Sequence, residues 1–202
     1  MKVNEIFRSI QGEGLMVGIP MNFVRFCQCN LSCEYCDTDF EDGEEMGILE
    51  ITEKLNDEFK WVSLTGGEPM LEENLMDLIN EIKAGGFKIL LETNGTIFNK
   101  EVFDGCEFIS VDIKGPSSGD LDYSKEVFDY CLGNSAKSQL KFVIKDMKDF
   151  EFFQRVYRKE YPNWILQPEF GSMKSLDYDL IMNGINDNVR IIPQVHRLMG
   201  VR

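Results

Sequence analysis

The sequence has no apolar run near the roughly 20 residues of a membrane-spanning helix. Its longest are a few residues, as in Lys88-Ile89-Leu90-Leu91. The opening Met1-Lys2-Val3-Asn4-Glu5-Ile6-Phe7-Arg8 lacks the apolar core of a secretion signal. Basic residues are in deficit: 21 Lys and Arg face 35 Asp and Glu, for a net charge of −14. That charge keeps a protein soluble and disfavours non-specific binding to nucleic acid or anionic lipid. Histidine is nearly missing, with His196 alone. Repeats, low-complexity tracts and Pro/Gly linkers are missing too. The 202 residues suffice for one core. These absences predict a single domain over residues 1–202 in the cytoplasm, where thiols stay reduced, with neither nucleic acid nor membrane as a partner. The acidic run Glu41-Asp42-Gly43-Glu44-Glu45 reads as an exposed turn.

Cysteine, by contrast, is concentrated. Four of the six cysteines fall within residues 27–36, and Cys29, Cys33 and Cys36 are spaced C-x3-C-x2-C. A [4Fe–4S] cube has four irons and usually takes four cysteine ligands. Three thiolates leave one iron open to a reacting molecule. A structural zinc ion wants four N or S ligands. Cys27 is available as a fourth, but the spacing is not that of paired zinc-binding cysteines, and His196 is remote in sequence. A disulfide framework does not suit this chain. Cys27 also continues the alternation of Asn22-Phe23-Val24-Arg25-Phe26 and reads equally as a buried strand thiol.

Short β-rich runs alternate with amphipathic stretches of helical length. Strands are predicted at residues 21–26, 61–64, 88–92, 108–112, 140–144, 164–167 and 189–192. Helices are predicted at 49–59, 71–84, 125–132, 148–160 and 175–182. Alternating strands and helices imply parallel pairing and an α/β fold. About six mainly parallel strands with helices outside make either a partial TIM-type barrel or an open sheet. In both, function gathers at the C-terminal ends of the strands.

Polar or Gly-rich motifs fall at those ends. The cysteines follow the first main strand, Thr65-Gly66-Gly67-Glu68-Pro69 the second, Thr93-Asn94-Gly95-Thr96 the third, Lys114-Gly115-Pro116 the fourth and Gln167-Pro168-Glu169 the sixth. Each alone is ordinary turn chemistry; together they outline a site. Gly66 and Gly67 allow backbone to approach a ligand, and the Glu68 carboxylate suits an ammonium group. Lys114 is either a solvated strand cap or a compact donor to a carboxylate or hydroxyl. Arg25 is either an edge residue or a bidentate carboxylate clamp. Glu13 is a further polar candidate for the pocket. Asp37 and Thr38 offer hard oxygens that suit Mg²⁺.

Cys29-x3-Cys33-x2-Cys36, with Tyr35 before the last cysteine, resembles the signature of radical S-adenosylmethionine (SAM) enzymes. Gly66-Gly67-Glu68-Pro69 is similar to their second motif. Ser9-Ile10-Gln11-Gly12-Glu13-Gly14, Cys36-Asp37-Thr38, Leu91-Glu92-Thr93-Asn94-Gly95-Thr96, Gln167-Pro168 and Gln194-Val195-His196-Arg197 resemble the 7-carboxy-7-deazaguanine synthase family. The resemblance runs from residue 5 to the end. It implies a compact radical SAM core and conversion of 6-carboxy-5,6,7,8-tetrahydropterin to 7-carboxy-7-deazaguanine, on the way to queuosine or archaeosine. The steps implied are hydrogen abstraction at C6, ring contraction and loss of ammonia, with the radical returned to SAM.

By the same resemblance Cys29, Cys33 and Cys36 hold a [4Fe–4S] cluster and Thr38 holds Mg²⁺. Tyr35, Gly67, Glu68, Asp112, Lys114 and Gln167 contact SAM. Ile10, Gln11 and Gly12 (through the backbone), with Glu13, Arg25, Thr65, His196 and the terminal carboxylate of Arg202, hold the pterin. No catalytic side chain is implied beyond the cluster and SAM. A homodimer and an electron donor such as flavodoxin or ferredoxin are implied as partners. The chain departs from the family in ending on Arg202, where proline is common, and in carrying Asp112 where some members have serine. Two other readings compete: an activase for a glycyl-radical enzyme or anaerobic ribonucleotide reductase, and a zinc-binding or electron-transfer module.

Overall fold

A computed structural model describes the chain apart from Tyr35, residues 37–42 and Arg202. Among the described residues, seven strands run parallel: β2 (Pro20–Phe26), β4 (Trp61–Gly66), β5 (Lys88–Thr93), β6 (Phe108–Ile113), β7 (Ser138–Ile144), β8 (Trp164–Pro168) and β9 (Val189–Ile191). Two more, β1 (Lys2–Ile10) and β3 (Glu44–Glu45), pair antiparallel at one edge. The order across the sheet is β3-β1-β2-β4-β5-β6-β7-β8-β9.

The parallel strands sit side by side in chain order, so the sheet never reverses direction. Right-handed crossovers then place every connecting helix on the same face. Those helices are α1 (Ile48–Glu53), α2 (Leu75–Ala84), α3 (Lys100–Gly105), α4 (Lys125–Gly133), α5 (Met147–Val156) and α6 (Tyr178–Asn183). A doubly wound sheet would have a switch point and helices on both faces. This winding is that of a barrel left open, as expected.

The two faces follow the two-residue period of a strand. Ile89 and Leu91, Ile109, Val111 and Ile113, Leu140 and Phe142, and Trp164 and Leu166 pack under the helices in one apolar core. The alternate residues, Arg25, Thr65, Glu92, Ser110, Asp112, Lys141 and Gln167, line a cavity on the other face. A small apolar cluster of Met16, Met21, Phe23 and Leu90 packs on that face below them.

Several boundaries differ from expectation. β1 was not expected; it is an edge strand, covered mostly on one side, and its apolar alternation is irregular. Glu44 and Glu45 are exposed as expected, but they form a short strand rather than a turn. α2 begins at Leu75 rather than residue 71, because Pro69–Leu71 close a separate 3-10 turn capped by Glu68. α2 then buries Leu75, Leu78, Ile79 and Ile82 on one stripe. α1 and α5 stop short of the predicted ends. α3, capped by Asn99, and a five-residue α7 (Val195–Met199) are additional.

Candidate active site

The C-terminal ends of the parallel strands surround a cavity of about 240 Å³. Cys29, Cys33 and Cys36 all line it. Their loop is held by neighbouring turns. Asn30 donates to Thr96 (2.8 Å) and accepts from Asn94 (2.9 Å). The Ser32 amide donates to Asp120 and the Glu34 amide to the Ser118 carbonyl. Asn94 Nδ2 and the Leu31 amide approach Cys29 Sγ at 4.0 and 3.5 Å. Among the described residues, no three His, Cys, Asp or Glu side chains converge on a single-ion site. Burial pushes the Cys33 thiol up, against the opposing pull of Lys114. Cys27 faces elsewhere: it is buried, and a β-carbon on Gly43 would stand 2.0 Å from its sulfur.

Gly66 and Gly67 are required by close backbone approach. Gly66 has φ +112, and a β-carbon there would stand 2.4 Å from the Phe26 nitrogen. Gly67 donates to the Phe26 carbonyl at 2.9 Å, and Glu68 to the Gln28 carbonyl at 2.6 Å. The glycine turn therefore forms the floor on which the cysteine loop starts. Glu68 follows that turn. It is fully buried, and its carboxylate accepts from Thr93 Oγ1 (2.7 Å), the Asn94 amide (2.6 Å) and the Met70 amide (3.0 Å). Its side chain braces three turns and does not face the cavity. Burial raises its pKa in spite of those donors.

Asp112, Lys114 and Gln167 meet on the inner face. Lys114 lies 3.0 Å from Asp112 Oδ2. Burial works against the Lys114 ammonium, but Asp112 and Cys33 outweigh it and raise its pKa. Asp112 Oδ1 and Gln167 Oε1 are buried acceptors with no hydrogen-bond partner among the described residues. Such atoms are rare in folded proteins and point to a missing donor.

The same cavity is also lined by Ile10, Gln11, Glu13, Arg25, Thr65 and His196. Glu13 is hydrogen-bonded to Lys141 and accepts from Gln194 Nε2 at 2.9 Å. Burial would raise its pKa, yet Lys141 and Gln194 hold it down at about 2. Glu13 is thus a fixed carboxylate. Arg25 pairs with Glu5 at 3.0 Å and lies over the Phe7 ring. The His196 ring packs against Gly12, where a β-carbon would be 2.0 Å from Nδ1. The backbone contacts expected of Gln11 and Gly12 meet competition. The Gln11 amide donates to the Ile19 carbonyl, the Gln11 carbonyl accepts from Gly18, and the Gly12 carbonyl accepts from Val195. Tyr35, Thr38 and Arg202 lie outside the described residues.

Sequence reasoning missed Lys141, and it gave Glu92, Asn94 and Gln194 no role beyond the motifs that contain them. Glu92 accepts from Gln11, Ser63 and Thr65, tying β5 to β4 and to the segment after β1 at the cavity wall. Lys141 and Glu92 were findable, as polar residues inside strands otherwise read as buried.

The Radical SAM superfamily matches residues 23–119, the stretch holding the cysteine loop, the glycine turn and Lys114. A 7-carboxy-7-deazaguanine synthase from Thermoplasma acidophilum is 36% identical over 98% of this chain and 97% of its own length. The chain belongs to the 7-carboxy-7-deazaguanine synthase family. Another member, from Methanopyrus kandleri, is 32% identical over 98% of this chain and 93% of its own. Among solved structures, QueE from Escherichia coli superposes with a TM-score of 0.73, covering 96% of this chain and 94% of that one at 19% identity. That match shows the shared fold.

Radical SAM membership implies a [4Fe–4S] cluster and SAM, and the synthase fold here has residues that fit both. Three cysteine side chains, Cys29, Cys33 and Cys36, line one cavity. Two buried acceptors, on Asp112 beside Lys114 and on Gln167, have no donor among the described residues, and both side chains line the cavity. Lys114 supplies the positive charge that a carboxylate ligand needs.

Proposed function

We propose that this protein converts 6-carboxy-5,6,7,8-tetrahydropterin to 7-carboxy-7-deazaguanine with loss of ammonia, in 7-deazapurine synthesis leading to queuosine or archaeosine. The observation that carries this reading is one cavity lined both by the three cysteines and by the fixed Glu13 carboxylate. When bound, a reduced cluster and SAM together supply a 5′-deoxyadenosyl radical able to take a hydrogen atom from carbon.

The chain's residues then have separable tasks. Cys29, Cys33 and Cys36 hold the cluster. Asp112 and Gln167 accept from SAM, and Lys114 faces its carboxylate. Glu13 accepts from the amino-pyrimidine edge of the pterin, which a carboxylate matches with two parallel hydrogen bonds. Arg25 faces the pterin carboxylate. Thr65, with Glu92 behind it, closes the wall between them. His196 and α7 cover the pterin end and exclude water. The activase reading gives Glu13 and Gln194 no such use.

We further propose, from the resemblance, Mg²⁺ at Thr38, contacts from Tyr35 and the Arg202 carboxylate, a homodimer, a flavodoxin or ferredoxin donor and a cytoplasmic location. No helix among the described residues is long and apolar enough to cross a membrane. One sheet takes strands from Lys2 to Ile191, which supports a single domain over residues 1–202. The test is anaerobic incubation of reconstituted protein with SAM, reductant and 6-carboxytetrahydropterin, followed by mass analysis. The deazaguanine is expected; SAM cleavage without it would reject the substrate.

A further inference from the structure

Lys141 occupies an unusual place. It lies on the inner face of β7, opposite Asp112 in the β6 register. It is nearly buried, with 7% of its surface exposed. Its ammonium is hydrogen-bonded to Glu13 Oε2 and lies 3.5 Å from Asp112 Oδ2. One ammonium thus bridges two carboxylates that line the cavity. We propose that Lys141 is a positioning residue shared by both ligand subsites, bracing Glu13 for the pterin and Asp112 for SAM, so that both binding events depend on one ammonium.

The oxygen pattern supports this. Lys141 and Lys114 both approach Asp112 Oδ2, at 3.5 and 3.0 Å. Oδ1 is left as the buried acceptor without a partner among the described residues. The two lysines therefore set which Asp112 oxygen is left for a donor on SAM. On Glu13, Lys141 takes Oε2 while Gln194 takes Oε1. That leaves the remaining lone pairs of a fully ionised carboxylate facing the cavity. An ammonium is suited to this: it is compact and has three donors, enough for two carboxylates. Without it, two buried carboxylates lose their shared counter-ion, and such groups take up a proton or turn towards water. Either change removes an acceptor that a ligand needs.

The pterin half of this proposal rests on the functional reading above; the SAM half rests on family membership together with the Asp112 contact proposed above. The test measures equilibrium affinity of anaerobically reconstituted protein for SAM and, separately, for 6-carboxytetrahydropterin. Lys141→Met is expected to weaken both by about tenfold, the scale of one charge-assisted hydrogen bond. The pattern in two backgrounds separates bracing from general loosening. With Asp112→Asn already present, Lys141→Met should cost no further SAM affinity but still weaken pterin. With Glu13→Gln present, it should cost no further pterin affinity but still weaken SAM. This second pair removes one charge of each sign, so it also serves if Lys141→Met alone folds poorly. Loss of only one affinity, or equal further losses in both backgrounds, would overturn the proposal. Unmodified protein that binds SAM but not the pterin would overturn the functional reading and the pterin half, while the SAM arm still decides the rest.

Discussion

Gly67 lies flat against Gln28: a β-carbon built on Gly67 would stand 1.8 Å from the Gln28 carbonyl oxygen and 3.0 Å from the Cys29 nitrogen. The glycine turn and the cysteine loop are therefore one structure. Gly67→Ala must push the start of the cysteine loop away. We predict that this variant keeps its secondary structure by circular dichroism but loses most of its iron and sulfide after reconstitution. Iron content equal to that of the unmodified protein would show that the close approach does not hold the loop.

The cysteines should divide cleanly. Cys29→Ala, Cys33→Ala and Cys36→Ala are each expected to abolish the cluster absorbance and SAM cleavage. Cys27→Ala should keep both, because its sulfur packs beside Gly43 and outside the cavity. A modest loss of stability, about 1 kcal/mol for a small buried side chain, is the only effect expected there. Loss of the cluster in Cys27→Ala would reverse the ligand assignment.

Glu68 is a stability residue at the site. Removing its carboxylate leaves the Asn94 and Met70 amides without their acceptor. Glu68→Ala is expected to lose roughly 2–4 kcal/mol in urea unfolding, since stranded buried donors carry their full desolvation penalty. A value within about 0.5 kcal/mol of the unmodified protein would mean that the turns find other partners.

Acid should act through Glu13. Its pKa falls from 4.5 to about 2 on folding. A carboxylate with a depressed folded-state pKa contributes stability that is full above the unfolded value and disappears as pH falls through the folded one. The stability difference between the unmodified protein and Glu13→Gln should therefore be level near neutrality and shrink between pH 4.5 and about 2. Urea titrations at several pH values measure it. A difference that does not change over that window would mean Glu13 is not held ionised by its partners.

Much of the fold was legible because the parallel strands are apolar on their helix-facing side. Ile109, Val111 and Ile113 or Leu140, Phe142 and Ile144 mark a strand whatever lies between them. What lies between them was harder to read. Asp112 was singled out through resemblance alone, and Lys141 was passed over, because a polar residue in a short apolar run does not declare whether it faces solvent or a cavity. The handover at the strand ends was legible from the cysteines and Gly66-Gly67. The bracing by Glu68 was not legible: sequence shows a carboxylate beside a turn but not the three donors that enclose it. β1 escaped because its apolar spacing is irregular. α7 escaped because it has five residues, and its place depends on the Val195 amide reaching the Gly12 carbonyl across most of the chain.

The most direct test of the central claim, that one cavity brings the radical to the pterin, uses substrate deuterated at C6. Reconstituted protein is incubated anaerobically with SAM and reductant, and SAM, 5′-deoxyadenosine and product are analysed by mass. The account predicts deuterium in SAM or 5′-deoxyadenosine, together with 7-carboxy-7-deazaguanine and released ammonia. Unlabelled 5′-deoxyadenosine with no deazaguanine would contradict it.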